Sequence, residues 1–312
     1  MDTVDRLYDL DPNDDLPDNF FIIMYGLRRC GKTTMLRYLL FELEYKLENH
    51  ETYLFSGTAE VSPHDYDYIP KKAKFPNVKE MEMDLQRIIS KQKKRMKEND
   101  DTHVLLIFDD VVSESIVRHS DSLNFLAVGG RHINISVVIL SQVVTGSGSV
   151  PPIIRTQADS IFVVANPRSE LERKLLVEQY LTPSKLNEGK SRAEIILDSA
   201  TSVQYRALCI MTTDSSARRL EDFLFLYGPV PPEIDEKFRL GTSEQWENES
   251  DDETSQKSNK TEPRREKRRK LEPIKNLPDP FKHSPQLPKE RGIYINGLSK
   301  NLAPSLGRRN RR

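Results

Sequence analysis

Along the first 230 residues, short unbroken apolar runs alternate with longer stretches whose apolar positions recur every three or four residues. The clearest run is Phe20-Phe21-Ile22-Ile23-Met24-Tyr25, which ends at Gly26. An apolar run with no polar alternation predicts a strand buried on both faces, as in parallel sheets. Beyond Lys32 the spacing becomes helical, with Met35, Leu36, Leu39, Leu40 and Leu43 on one face. Residues 51–56 predict a second strand. Residues 78–98 predict a helix with Met81, Leu85, Ile88 and Ile89 on one side, and 102–110 a strand ending in Asp109-Asp110. A helix over 120–131, closed by Gly129-Gly130 as a C-cap, leads into a strand over 133–142. A strand at 160–165, a helix over 169–181 with Ser169 as N-cap, and a last strand at 205–212 precede the segment 220–227. Pro63, Pro70 and Pro76 predict an ordered loop between 62 and 77. Strands alternating with helices over 20–230 predict a parallel, doubly wound α/β domain.

The turn after the first strand carries chemistry. Gly26-Leu27-Arg28-Arg29-Cys30-Gly31-Lys32-Thr33 fits G-x-x-x-x-G-K-[ST], the phosphate-binding P-loop, and Thr34 continues the helix start. Its context is a strand before and a helix after, as phosphate binding requires. Glycines let consecutive N–H groups point inward, and the helix adds its positive dipole end. Lys32 is placed to reach β- and γ-phosphates, and the Thr33 hydroxyl to ligate Mg²⁺, which implies ATP and Mg²⁺ as cofactors. The fold class is therefore α/β, a P-loop NTPase with a mainly parallel sheet flanked by helices.

Two further strand ends add polar groups at the edge where open α/β sheets bind ligands. Thr102-His103-Val104-Leu105-Leu106-Ile107-Phe108-Asp109-Asp110 has the form of a Walker B element. There Asp109 would hold Mg²⁺ through water, and Asp110 would take a proton from the attacking water. The strand over 133–142 ends in Ser141-Gln142. A glutamine there orients the attacking water or senses the γ-phosphate, or simply satisfies a polar strand end, and the sequence leaves both readings open.

Charge and composition change the picture mainly at the ends. Residues 1–19, rich in Asp with Pro12 and Pro17, read as an irregular acidic lead-in. From 231 to 312 the chain is acidic and then basic, with Arg264-Arg265-Glu266-Lys267-Arg268-Arg269-Lys270 and a final Arg308-Arg309-Asn310-Arg311-Arg312. Such a tail is disordered by composition, and its basic clusters suit nuclear addressing or nonspecific nucleic-acid contact, or are merely a solvated tail. Only Cys30 and Cys209 are present, which excludes a disulfide framework or a cysteine zinc site and suits a reducing intracellular compartment. No apolar run approaches the ~18–20 residues of a membrane span, so no membrane partner is expected.

The P-loop, the strand ending Phe108-Asp109-Asp110, and Gly130-Arg131-His132-Ile133-Asn134-Ile135-Ser136 leading into Val137-Val138-Ile139-Leu140-Ser141-Gln142 together resemble the poxvirus A32-type genome-packaging ATPases of the FtsK/HerA group. The resemblance spans roughly 18–230. It implies a homo-oligomeric ring that uses ATP to pump double-stranded DNA into a capsid, with a capsid or portal protein as partner. It also implies a setting in the host nucleus or a cytoplasmic virus factory, with virion association. Carried onto this chain, it gives Lys32, Asp110, Gln142 and Arg131 as catalytic residues and Thr33 and Asp109 as metal ligands. Arg131 falls where such a ring would offer an arginine to the neighbouring γ-phosphate, or it caps the preceding helix. Arg155 is its rival. Many relatives carry Asp-Glu where this chain has Asp109-Asp110. Candidate phosphate contacts to DNA are Lys71, Lys72 and Lys74 and the basic helix end 91–97, which equally read as a solvated face. A GTPase is disfavoured because no Asn-Lys-x-Asp motif occurs. Another translocase of the same group and a nucleotide-gated adaptor without turnover are the alternatives.

Overall fold

The computed structural model describes residues 7–111, 119–146, 148–181, 190–213, 219–229, 234 and 237–247. Their strands are β1 (Tyr8–Asp9), β2 (Phe21–Tyr25), β3 (His50–Phe55), β4 (Lys74–Phe75), β5 (His103–Asp109), β6 (Ile135–Ser141), β7 (Ser160–Val163), β8 (Ala207–Met211) and β9 (Leu224–Tyr227). The helices are α1 (Pro12–Asp15), α2 (Lys32–Glu42), α3 (Glu44–Leu47), α4 (Met81–Glu98), α5 (Asp121–Gly129), α6 (Pro152–Arg155), α7 (Glu170–Leu176) and α8 (Lys190–Thr201). The strands form a single nine-stranded sheet in the order β1-β9-β8-β7-β2-β6-β5-β3-β4.

The β2 run is continuous because both of its faces are covered. Phe21, Ile23 and Tyr25 enter a core with α4 and α5 residues such as Leu85 and Leu123. Ile22 and Met24 point the other way, against Met35, Leu36, Leu39, Leu40 and Leu43. Alternate side chains of one strand thus feed two cores. Burying these aliphatic side chains contributes about 1.5–3 kcal/mol each. No helix among the described residues is long and apolar enough to cross a membrane.

Several expectations are corrected. The sheet is mainly parallel as expected, from β4 through β7, but it is not wholly so, since β8 runs antiparallel to both β7 and β9. Two helices, α7 and α8, lie between β7 and β8 and return the chain to the edge it left, so the next strand must run backwards. The lead-in is not irregular. β1 pairs in parallel with β9, Asp11 caps α1 by accepting from the Asn13 N–H, and Leu7, Leu10 and Leu16 are buried. Helix α5 does end at Gly129 with Gly130 as its C-cap, but Gly130 is right-handed (φ −56°), and the left-handed residue falls four residues later at Asn134 (φ 55°), after a 3₁₀ turn over Gly130–Ile133. Asn tolerates that conformation through its short polar side chain. Helix α7 ends at Leu176 and passes into a π turn over Val177–Leu181, and the Ser169 side chain makes no capping bond.

Structure also continues past residue 231. Phe238 and Leu240 are buried, Phe238 packing edge-on against Phe41 and stacked on Tyr68. The Gln245 amide accepts from the Thr52 N–H and donates to the Thr52 carbonyl, so it pairs with the edge of β3 as a strand would. The rest of the tail, including both terminal basic clusters, lies outside the described residues.

Candidate nucleotide site

Register brings the three predicted strand ends to one edge. β6 lies between β2 and β5, pairing Tyr25 with Ser141 and Asp109 with Leu140. The Gly26 N–H donates to the Ser141 carbonyl at 3.2 Å, locking the start of the loop to the end of β6. Gly26, Asp110 and Gln142 therefore emerge side by side.

The loop's conformation explains its glycines. Gly31 is the N-cap of α2 at φ 96°, and a Cβ there would sit 2.7 Å from the Tyr205 ring. A Cβ at Gly26 would lie 2.6 Å from the Cys30 sulfur. Arg29, also left-handed at φ 62°, holds the tight turn between them. Lys32 folds into this turn, its ammonium donating to the carbonyls of Gly26 at 2.7 Å and Leu27 at 3.0 Å. Burial pushes the Cys30 thiol above its ordinary value, against the pull of the Lys32 charge. Arg28 and Arg29 are exposed at the rim.

Asp109 is half-buried and accepts a short hydrogen bond from the Tyr66 hydroxyl. Desolvation raises its pKa, opposed by that hydrogen bond; Asp110 and Asp65 add repulsion while Lys32 attracts. Thr33 lies near the same Tyr66 phenol, so the two predicted Mg²⁺ ligands are neighbours. Asp110, left-handed at φ 57°, turns its carboxylate away from the strand, where it accepts from the Gln142 amide at 2.6 Å. The two candidate water-handling residues are thus a hydrogen-bonded pair.

A hydroxyl and a carboxylate form an oxygen-only donor set that suits Mg²⁺. No group of three or more His, Cys, Asp or Glu among the described residues is arranged to hold a metal. Such a sparse set fits a cation that takes its remaining ligands from water and phosphate.

Of the two arginine candidates, Arg131 is remote from this edge and Arg155 is buried behind it. Arg131 lies on the 3₁₀ turn before β6, its guanidinium 3.8 Å from the Asp159 carboxylate, which also accepts from the Phe21 N–H. That is the start of β2, about 15 Å from the P-loop across five residues of strand. Its side chain is 48% exposed. Arg155 is 8% exposed, donates to the Val144 carbonyl at 2.8 Å and sits beside Tyr25 and Tyr180, which makes it a structural residue of this subunit.

The basic helix end is largely committed within the chain. Lys91 and Arg95 each lie 2.7 Å from Glu51, Lys94 pairs with Glu98, and Lys93 covers the Phe125 ring. Burial pushes the Glu51 carboxyl up, but hydrogen bonds from Arg95, Lys91 and Tyr53 outweigh it and hold it at about 2. Tyr66 was invisible to sequence reasoning. Its only signal was a tyrosine in a proline-bounded loop, with nothing to tie it to Asp109.

A glycine loop joining a central strand to a helix, with an acid-tipped strand two positions away and a glutamine-tipped strand between, defines a P-loop NTPase. The chain belongs to the Poxvirus A32 protein family, whose model matches residues 10–227. No curated protein sequence matches it significantly. Among solved structures, it is similar to the genome packaging NTPase B204 of Sulfolobus turreted icosahedral virus 2 in complex with ATP-gammaS. Identity is 12% and the TM-score 0.47, over 69% of this chain and 100% of that one. The pCW3 conjugation coupling protein TcpA gives 13% and 0.47, over 63% and 59%. EssC of Geobacillus thermodenitrificans gives 16% and 0.44, over 77% and 44%.

Proposed function

We propose that this protein is an ATP-hydrolysing motor that translocates double-stranded viral DNA into a capsid. The observation that carries the reading is the meeting of Lys32, Thr33, Asp109 and the Asp110–Gln142 pair at one sheet edge. Membership of the A32 family supports the packaging role.

The geometry supports the following roles. The loop amides and the α2 N-terminus receive the phosphates. Lys32 exchanges its bonds to the Gly26 and Leu27 carbonyls for phosphate oxygens. Thr33 and Asp109 would hold Mg²⁺, which would supply positive charge against the phosphates. Asp110 accepts the proton of the attacking water, and Gln142, bonded to Asp110, fixes that carboxylate and reports the state of the γ-phosphate. In a homo-oligomeric ring, Arg131 would act on the neighbour's nucleotide after releasing Asp159. Double-stranded DNA would be gripped through phosphates, and a capsid or portal protein would seat the ring. The setting is the infected cell, in the nucleus or a cytoplasmic factory, with carriage into the virion.

The test is ATP hydrolysis by the full chain with and without double-stranded DNA, beside Lys32→Ala. Stimulation that disappears in Lys32→Ala supports the motor. Turnover indifferent to DNA, in the presence of capsid protein, refutes it. ATP binding without turnover moves the reading to a nucleotide-gated adaptor.

A further inference from the structure

Tyr66 is 1% exposed and ends a 3₁₀ turn over Pro63–Tyr66, a segment outside every P-loop element. Its hydroxyl donates to Asp109 Oδ2 and lies near the Thr33 side chain. The turn that carries it is fixed from two sides. From α2, Arg37 pairs with Asp67 at 3.2 Å and lies over the Tyr68 ring. From the C-terminal segment, Phe238 stacks on Tyr68 with ring centroids 5.4 Å apart, and the Leu240 N–H donates to the Tyr68 carbonyl at 2.8 Å. A buried phenol held this firmly cannot swing to water, and leaving its hydroxyl unpaired would be costly, so it stays on Asp109. With one carboxylate oxygen tied, Asp109 loses its rotational freedom and its second oxygen has a set direction.

We propose that Tyr66 is a positioning residue for the cation edge of this site, its hydroxyl tying one oxygen of Asp109 and fixing the orientation of that donor beside Thr33. The inference rests on the nucleotide-site reading above and adds to it a residue from outside the P-loop motifs. Partners that orient metal ligands typically carry 10–100-fold in metal affinity.

The experiment measures binding of ATPγS to the full-length protein by fluorescence titration, first in EDTA and then across a Mg²⁺ series. Tyr66→Phe keeps the ring and removes only the hydroxyl, so the core survives. The expected result is unchanged affinity in EDTA and about a 10-fold rise in the Mg²⁺ needed for half-maximal tightening. In an Asp109→Asn background the same change should add little, because the two act as a unit. Tyr68→Phe removes a buried hydroxyl two residues beyond the turn, one that makes no hydrogen bond to Asp109, and should leave the Mg²⁺ requirement where it was. An unshifted requirement in Tyr66→Phe overturns the proposal, as does an equal shift in Tyr68→Phe, which would mean that loosening the turn is enough. Wild-type protein that binds no ATPγS at all would instead overturn the nucleotide-site reading.

Discussion

The sheet contains a pH liability at the end remote from the nucleotide. His50 opens β3 and His103 opens β5, register places them side by side, and their ring centroids are 4.9 Å apart. His50 is only 4% exposed. Burial, then the neighbouring His103, lower its pKa from 6.5 to about 3, against a smaller opposing pull from the Leu47 backbone. His103 is lowered as well, by burial, though Asp18 and Asp101 face it and work the other way. The sign follows from proton counting. Between about pH 3 and 6.5 the unfolded chain protonates His50 and the folded chain does not, so stability falls as pH drops through that window. At pH 5 the folded state forgoes about 1.5 pK units of protonation, which is about 2 kcal/mol at 1.36 kcal/mol per unit. For a domain of this size that corresponds to a fall in melting temperature of about 4–8 °C. The assay is urea unfolding of wild type and His50→Phe at pH 7 and pH 5. Repacking at His50 changes both pH values alike, so only the difference is read. Wild type should lose about 2 kcal/mol more than the variant over that interval. Equal losses would refute the reasoning, placing the acid sensitivity in other groups.

Four further outcomes are expected. Gly31→Ala should cut ATP affinity at least about 10-fold by calorimetry, since the added Cβ meets the Tyr205 ring at a φ that favours glycine; an unchanged Kd would contradict it. Gln142→Ala should slow steady-state turnover about 100-fold while ATP still binds, because Asp110 loses the amide that holds it. Glu51→Ala should cost about 3 kcal/mol in urea melts, leaving the cations of Arg95 and Lys91 without their shared carboxylate. Phe238→Ala should cost about 3 kcal/mol by the same measurement, and a loss near zero would mean that residues 237–247 are not part of the folded body.

What could be read from the sequence depended on whether the signal was local. The β2 run, the α2 face and the P-loop declare themselves within twenty residues, because strand burial and phosphate geometry both constrain neighbours in the chain. The same holds for Asp109 and Gln142 as strand ends. The reversal of β8 was not legible, since a strand's direction depends on the number of helices before it and the segment before β8 had only one clear helical pattern. The β1–β9 pairing joins residues more than 200 apart, and two-residue strands leave no periodicity to detect. Phe238 and Leu240 sit in charged surroundings that read as tail by composition, yet two apolar residues sufficed because Tyr68 and Phe41 offered a place for them. The Tyr66–Asp109 bond spans 43 residues and obeys no motif.

The placement of the two arginines bears on how a ring would work. A ring closes through head-to-tail contacts, in which the surface that gives differs from the surface that receives. An arginine that serves the neighbour's phosphate must therefore stand away from its own P-loop and reach solvent. Arg155 fails both conditions, being buried behind Tyr25 and bound to the Val144 carbonyl. Arg131 meets both, at the opposite edge of the sheet and half exposed. Its pairing with Asp159 is long at 3.8 Å, and half-exposed ion pairs contribute at most about 1 kcal/mol. Asp159 would not be stranded by its departure, because the Phe21 N–H still donates to it. The arginine is thus held loosely by a partner that can release it. A trans-acting group needs that property, whereas a helix-capping arginine would be bound to backbone carbonyls.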